Sequence, residues 1–446
     1  AGEISQPKPD NIKNDYVVYV RSVGSDDIIG YRNGEQWYNS EGKEVSDPNT
    51  LTVDGRISPL LKDPAFASKN GFSTGAFQDY KPQINVMPRL AFSFPISDVA
   101  NFFAHYDVLT QRPSELDFRF DPTDFYFFNF TSANPFITNS NLKPTKTIDY
   151  ELGYNQILNE KKNAAIKVTA FYRELRDQLT TQTINQAYPK TYYTLVNRDF
   201  GTVKGLSAEF DLRRTGGVSL TANYTLQFAD GSGSNAGSGA NLASSGQPNL
   251  RVTLPLDYDQ RHNITVNLDY RFGEGKDYKG PQFNRKKKGE SQTVQVFQNM
   301  GANMIFRIGS GTPYTRYVAA VPVGGRSSIA GSLNGSNKPW QFRTDLRVDK
   351  NIELTWGKKD GDSKKTANLN IYLQVLNLLN TRNILGVYNY TGNPDDDGYL
   401  ASAQGQTFTN SNANPVAFTD QYSIYINNPS NYARPRTIRI GVLLDF

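Results

Sequence analysis

Few side chains in this sequence have the type and spacing to do chemistry. Only two histidines occur, His105 and His262, far apart in the chain, and cysteine is absent. Without cysteine there is no thiolate nucleophile and no thiolate metal site. Two separated histidines can hold hydrogen bonds, but they do not make a histidine-rich metal centre. Asp149 and Glu151 stand two apart and so share one face of a strand, a spacing open to acid–base work. A solvated strand face shows the same pair without any catalysis. Arg285-Lys286-Lys287-Lys288 could grip phosphates or touch anionic headgroups, and equally forms a solvated turn. Asp395-Asp396-Asp397-Gly398 resembles a fragment of a calcium loop but lacks the alternate spacing and the later glutamate. The expectation is a chain with no catalytic residues, no metal and no cofactor: not an enzyme.

What must position any such residue is a set of strands. The clearest lies at 437–446, where Ile438, Ile440, Val442, Leu444 and Phe446 alternate with Thr437, Arg439, Gly441 and Asp445. That is the period of a strand with one apolar and one polar side, and Leu443 is the single lapse. The stretch stops on an aromatic residue with no polar tail, unlike most soluble proteins. Two architectures accommodate it. One is the last edge strand of a soluble sandwich; the other is the closing strand of an outer-membrane barrel with its terminal aromatic in the interface.

Composition leans towards the barrel. Hydrophobic residues make up 37% and mean hydropathy is −0.56, yet aromatics reach 12%, with 26 Tyr and 26 Phe. Scarce aliphatics with abundant Tyr and Phe suit alternating strands, aromatic girdles and polar loops. No run of about eighteen apolar residues occurs, so no spanning helix is expected, and barrel strands escape such a scan. The net charge of +5 is spread along the chain, which disfavours a nucleic-acid partner.

Clean alternation recurs at 148–154, 206–212, 218–228, 264–272 and 342–348, with weaker members at 165–176, 298–308 and 367–379. Residues 88–95 and 101–109 read as a pair across a short turn. The polar faces mix both charge signs with Asn and Gln over about nine to twelve residues, the length of a tilted strand crossing a bilayer. Soluble strands usually run only about 5–6 residues. The reading is therefore an antiparallel transmembrane β-barrel over 81–446. Residues 1–80 read as a loop-rich segment with few strands, strand-like at 16–20, and are assigned to the barrel's outer loops.

Connection lengths test this. Outer-membrane barrels alternate short periplasmic turns with long external loops. Joints at 159–163, 215–217 and 357–366 are short; those at 177–200, 229–257, 310–338 and 380–434 are long. The joint after Phe272 breaks the rule, being long where a short one is due. On this parity the last strand descends and Phe446 ends at the periplasmic side. Eleven or twelve strands are expected after residue 80, with loops more typical of the largest barrels. The sequence thus reads as the carboxyl-terminal portion of something bigger. No signal peptide opens it, so an exported protein would be numbered from a processed or truncated start.

Asn141-Leu142-Lys143-Pro144-Thr145, followed by Thr147-Ile148-Asp149-Tyr150-Glu151-Leu152-Gly153-Tyr154, resembles a passage of the TonB-dependent outer-membrane receptors, with Thr145 in place of the family's glutamate. Gly311-Thr312-Pro313-Tyr314, the run from Arg343 to Lys350, Val375-Leu376-Asn377-Leu378-Leu379-Asn380 and the stretch from Arg434 to Phe446 are similar to later barrel motifs of that family, in the same order. The wording resembles most the large Bacteroidetes receptors that carry a carboxypeptidase-like regulatory domain. The resemblance implies a barrel of about 22 strands, filled by an amino-terminal plug that is not found in this sequence. It implies TonB–ExbB–ExbD as energy source and the outer membrane of a Gram-negative bacterium as location. Function would be active uptake of a ligand (an iron chelate, glycan, peptide or similar) captured by external loops. The alternative is a passive or secretion-type barrel whose loops hold a partner protein. Candidate ligand contacts are Phe125, Tyr126, Phe127 and Phe128 in an aromatic loop, with the 380–434 loop beside them; aromatic faces stack on sugars or apolar ligands, or line a membrane girdle. Ile438, Ile440, Val442, Leu444 and Phe446 would form the strand read by the barrel assembly machinery. Lipid and lipopolysaccharide would surround the wall, with a surface lipoprotein as a further partner.

Overall fold

The computed structural model describes residues 8–22, 24–34, 36–52, 57–61, 82–114, 136–184, 191–238, 240, 252–287, 290–356 and 365–446. Five short strands come first: β1 (Val17–Val20), β2 (Ile28–Asn33), β3 (Gln36–Asn39), β4 (Glu44–Val45) and β5 (Ser58–Pro59). They pair in the order β4-β3-β2-β1-β5. Alternation along β1 sends Tyr19 to one face, with Trp37 and Ile57, and Val20 to the other, with Ile12, Ile28 and Tyr31. The rings of Tyr19 and Trp37 lie 4.8 Å apart. These five short strands lie within the segment that reads as loop-rich in the sequence. Strands of two to six residues between Gly, Asp and Asn turns are too short for a period to register.

The wall follows. Its strands are β6 (Arg89–Ser97), β7 (Ala100–Gln111), β8 (Thr145–Ile157), β9 (Ala164–Ile184), β10 (Tyr192–Thr215) and β11 (Val218–Gly231). After the short β12 (Leu254–Pro255) comes β13 (His262–Arg271). The hairpin β14 (Phe283–Lys287) and β15 (Glu290–Val294) precedes β16 (Met300–Gly309). A small pair, β17 (Pro313–Tyr314) and β18 (Ser336–Asn337), precedes β19 (Gln341–Trp356), β20 (Lys365–Leu376) and β21 (Thr437–Asp445). Eleven of these form one antiparallel meander from β6 to β21, each wall strand paired with the next. Among the described residues the edges β6 and β21 are not paired with each other.

Register sorts the two faces. Along β11, β13, β16 and β19, Leu220 meets Leu268, Leu268 meets Met304 and Met304 meets Leu346. On β21, Ile438, Ile440, Val442 and Leu444 face Val375, Leu373, Ile371 and Leu369. This apolar face is open: Ile440 is 77% exposed and Phe94 69%. A continuous apolar band left uncovered belongs against lipid rather than water. Leu443 falls on the polar face opposite Asn370.

Connections obey the parity with one exception. Gly216 and Gly217, with φ of +61° and +93°, close a two-residue hairpin of the mirror-image type that matches strand twist. The joint after Phe272, long for its end, contains the β14–β15 hairpin. One expectation is corrected: 177–200 is not a long loop, because β9 and β10 continue pairing up to Ile184 and Tyr192. Asp177 adopts a positive φ of 55°, and the register shifts on both sides of Asp199. These irregularities flip the alternation midway, so one long strand pair reads in sequence as two strands and a loop.

Candidate functional site

Two regions could act on a solute: the polar face of the wall and the cluster of long loops at one end. On the polar face, charged residues lie in rows because side chains alternate and strands are in register. Arg173 on β9 donates to Asp149 at 2.9 Å and to Glu151 at 3.1 Å, both on β8. Arg89 pairs with Asp107 at 3.2 Å, Arg214 pairs with Asp269, and Arg271 reaches Asp349 at 2.9 Å. Asn370 also donates to Asp349 at 2.9 Å, and Asn303 to Asn267 at 2.8 Å. The Asp149/Glu151 pair is thus one arginine's partner in a ladder of ion pairs. His105 lies opposite Glu151 in register and packs its ring 5.3 Å from Phe103. His262 lies on the other face, 3.0 Å from the Tyr224 hydroxyl and stacked 5.5 Å from Trp340. No three His, Asp or Glu side chains converge on a metal position among the described residues.

The loop between β20 and β21 folds into a module of its own. Helix α1 (Ala403–Ser411) begins at Ser402, whose hydroxyl accepts from the Gly405 N–H; α2 (Pro415–Ile426) begins at Asn414, whose side chain accepts from the Ala417 N–H. Tyr399, Tyr422 and Ile426 form its core, with Tyr388, Leu400 and Phe418 packed around them. The Tyr422 hydroxyl donates to buried Asp397 at 2.5 Å and accepts from the Val323 N–H at 3.2 Å, tying the module to the neighbouring loop. Burial and the adjacent Asp397 carboxylate push the Tyr422 hydroxyl well above the usual phenol range. Asp395 accepts from the Tyr432 hydroxyl, Asp396 from the Gly398 N–H and Asp397 from the Tyr399 N–H. The three carboxylates point to three different partners and brace the loop. A small cleft of about 120 Å3 opens between Tyr317, Val323, Tyr388, Tyr390 and Asp397.

A family model, described as TonB dependent receptor-like, beta-barrel, matches residues 66–378, which is 313 of the 446 residues. The chain belongs to this family. The receptor barrel therefore lies in the outer membrane of a Gram-negative bacterium. Among solved structures it is similar to the outer membrane transporter YddB from Escherichia coli, at 13% identity and TM-score 0.47, covering 81% of this chain and 40% of that one. It is also similar to FpvA of P. aeruginosa, at 10% identity and TM-score 0.42, covering 80% and 32%. The ferric-catecholate import receptor Fiu of E. coli stands at 13% and 0.41, covering 80% and 34%. The chain spans about a third to two fifths of the length of these structures. Comparison with curated proteins finds no match.

Of the site residues expected from the sequence, Phe125, Tyr126, Phe127 and Phe128 lie outside the described residues, as does Lys288 of the basic run. Arg285, Lys286 and Lys287 belong to strand β14 rather than to a turn. Ile438, Ile440, Val442 and Leu444 share the apolar face of β21, and Phe446 follows it, 92% exposed. The α1–α2 module gave no sign in the sequence beyond its length and its Ser402 and Asn414 caps, since its apolar residues are few and irregularly spaced.

Proposed function

We propose that the receptor barrel belongs to an energy-coupled importer, taking up a ligand that its outer loops capture. The reading rests on one observation. Every long connection but the one between β13 and β16 emerges at the same end of the wall, and the longest is built into a braced aromatic module rather than left as a tether. A passive pore has little need for a packed helical module over its mouth. The aromatic stretch holding Phe125, Tyr126, Phe127 and Phe128 belongs to the β7–β8 connection at the same end, and we assign it to ligand contact with the module. Iron chelates, glycans and peptides all fit such a surface. The whole protein would complete a barrel of about 22 strands with a plug moved by TonB–ExbB–ExbD. The exposed β21 strand with Phe446 would be the signal for the barrel assembly machinery. Lipopolysaccharide would pack on the apolar band, and a surface lipoprotein could cap the loops.

Deleting the protein and, separately, its TonB supply, then following a panel of iron chelates, glycans and peptides, tests this. Both deletions should abolish uptake of the same compound. Uptake that survives loss of TonB, with a steady conductance in planar bilayers, would instead fit a passive barrel whose loops hold a partner protein.

A further inference from the structure

On the polar face, Arg307 of β16 and Arg343 of β19 sit directly opposite one another in register. Like charges in that position repel. Both turn to a single carboxylate: Arg307 donates to Asp345 at 2.7 Å and Arg343 at 2.8 Å, while the Asn377 N–H donates to it at 2.8 Å. Arg347, two residues beyond Asp345 on the same face, joins them around a recess of about 460 Å3 that Asn303 and Gln374 also line. Three arginines against one aspartate leave two positive charges. Arg439 of β21 faces Gln374 in register and adds a third.

Arg347 is held in place from behind. Its guanidinium lies over the Tyr372 ring at 4.3 Å. That ring leans across Gly441, where a Cβ would come within 2.3 Å of it. A guanidinium backed by a fixed ring presents its edge donors in one plane, the geometry that grips a carboxylate or phosphate two-pronged. Among the described residues no carboxylate pairs with Arg347 or Arg439.

We propose that Arg347 and Arg439, with Arg307 and Arg343 behind them, form an oxyanion site on the barrel's inner wall. The oxyanion is either a free solute, such as a carboxylate or phosphate compound in transit, or a carboxylate borne by a segment that fills the lumen. The site does not depend on which compound the outer loops capture.

The test uses the full-length protein in detergent, with citrate and inorganic phosphate as probes at fixed ionic strength. If the source is a solute, citrate raises the melting temperature, and Arg347→Gln and Arg439→Gln each weaken its binding roughly tenfold or more. If the source is chain-borne, citrate does nothing. Arg439→Gln, which disturbs no contact of its own in this wall, then lowers the melting temperature, and high salt erases that loss. Anion binding indifferent to both substitutions would overturn the proposal, as would no anion effect together with a neutral Arg439→Gln. Gly441→Ala supplies an independent readout: by shifting the Tyr372 ring it should impair whichever effect Arg347→Gln impairs.

Discussion

Single residues hold the outer module in shape, and Tyr422 is the clearest. Its hydroxyl spans buried Asp397 and the Val323 backbone, so Tyr422→Phe leaves a carboxylate short of its donor. Hydrogen bonds to charged groups contribute about 1.5–3 kcal/mol. The substitution should loosen the module, read as faster proteolysis of residues 380–434 with the wall unchanged. The same group sets a pH limit. A phenol whose folded value is raised is stabilised in its neutral form. That stability is complete below the unfolded value of about 10 and disappears as pH climbs through the higher folded value. Hydrogen exchange in α2 should therefore rise above about pH 10 in the wild type, and less so in Tyr422→Phe. In the sequence, Asp395, Asp396 and Asp397 had looked like part of a calcium loop. Their partners, Tyr432, Gly398 and Tyr422, lie up to 37 positions away and cannot be read from a local run.

A strand's two faces answer to different solvents, and β13 allows a direct comparison. Leu268 faces Leu220 and Met304 on the apolar side; Asn267 faces Thr221 and Ile305 on the other. Leu268→Arg should destabilise the folded barrel by about 2–4 kcal/mol, since a charge at the lipid midplane costs that much. Asn267→Arg should be tolerated. Urea titration of the refolded protein in vesicles would separate them, and equal losses would mean the faces are assigned wrongly. This level was the most legible. Alternation at 218–228 and 264–272 showed which side was which, because one face meets hydrocarbon and the other does not. Legibility failed where the backbone left the repeat: Asp177 with φ of 55° and the shifts around Asp199 hid the upper halves of β9 and β10.

For the whole molecule, the parity of connections makes a topological claim. With no native cysteine, single cysteines can report sidedness cleanly. Val416→Cys in α2, 71% exposed, should react with a membrane-impermeant maleimide on intact cells. Gly237→Cys, in the β11–β13 loop, should react too. Lys161→Cys, in the β8–β9 turn, should label only after lysis. Labelling of Lys161→Cys on intact cells would invert the barrel and remove the outer module from any role in capture.

The alternation of residue types by itself determined the all-β class, the strand count and the inner and outer faces. Each of these depends only on a period of two imposed by the pleat, so neighbouring positions suffice. The resemblance of ordered motifs such as Tyr150-Glu151-Leu152-Gly153 carried the family as well. Tertiary structure alone decided the rest. It alone brought Arg307, Arg343 and Arg347 from two strands to one recess with Arg439 of a third strand beside it, folded 377–436 around Tyr399 and Tyr422, and paired β1 to β5 into a small sheet. Those outcomes depend on register between strands distant in sequence and on packing among scattered aromatics, and neither leaves a period in the chain.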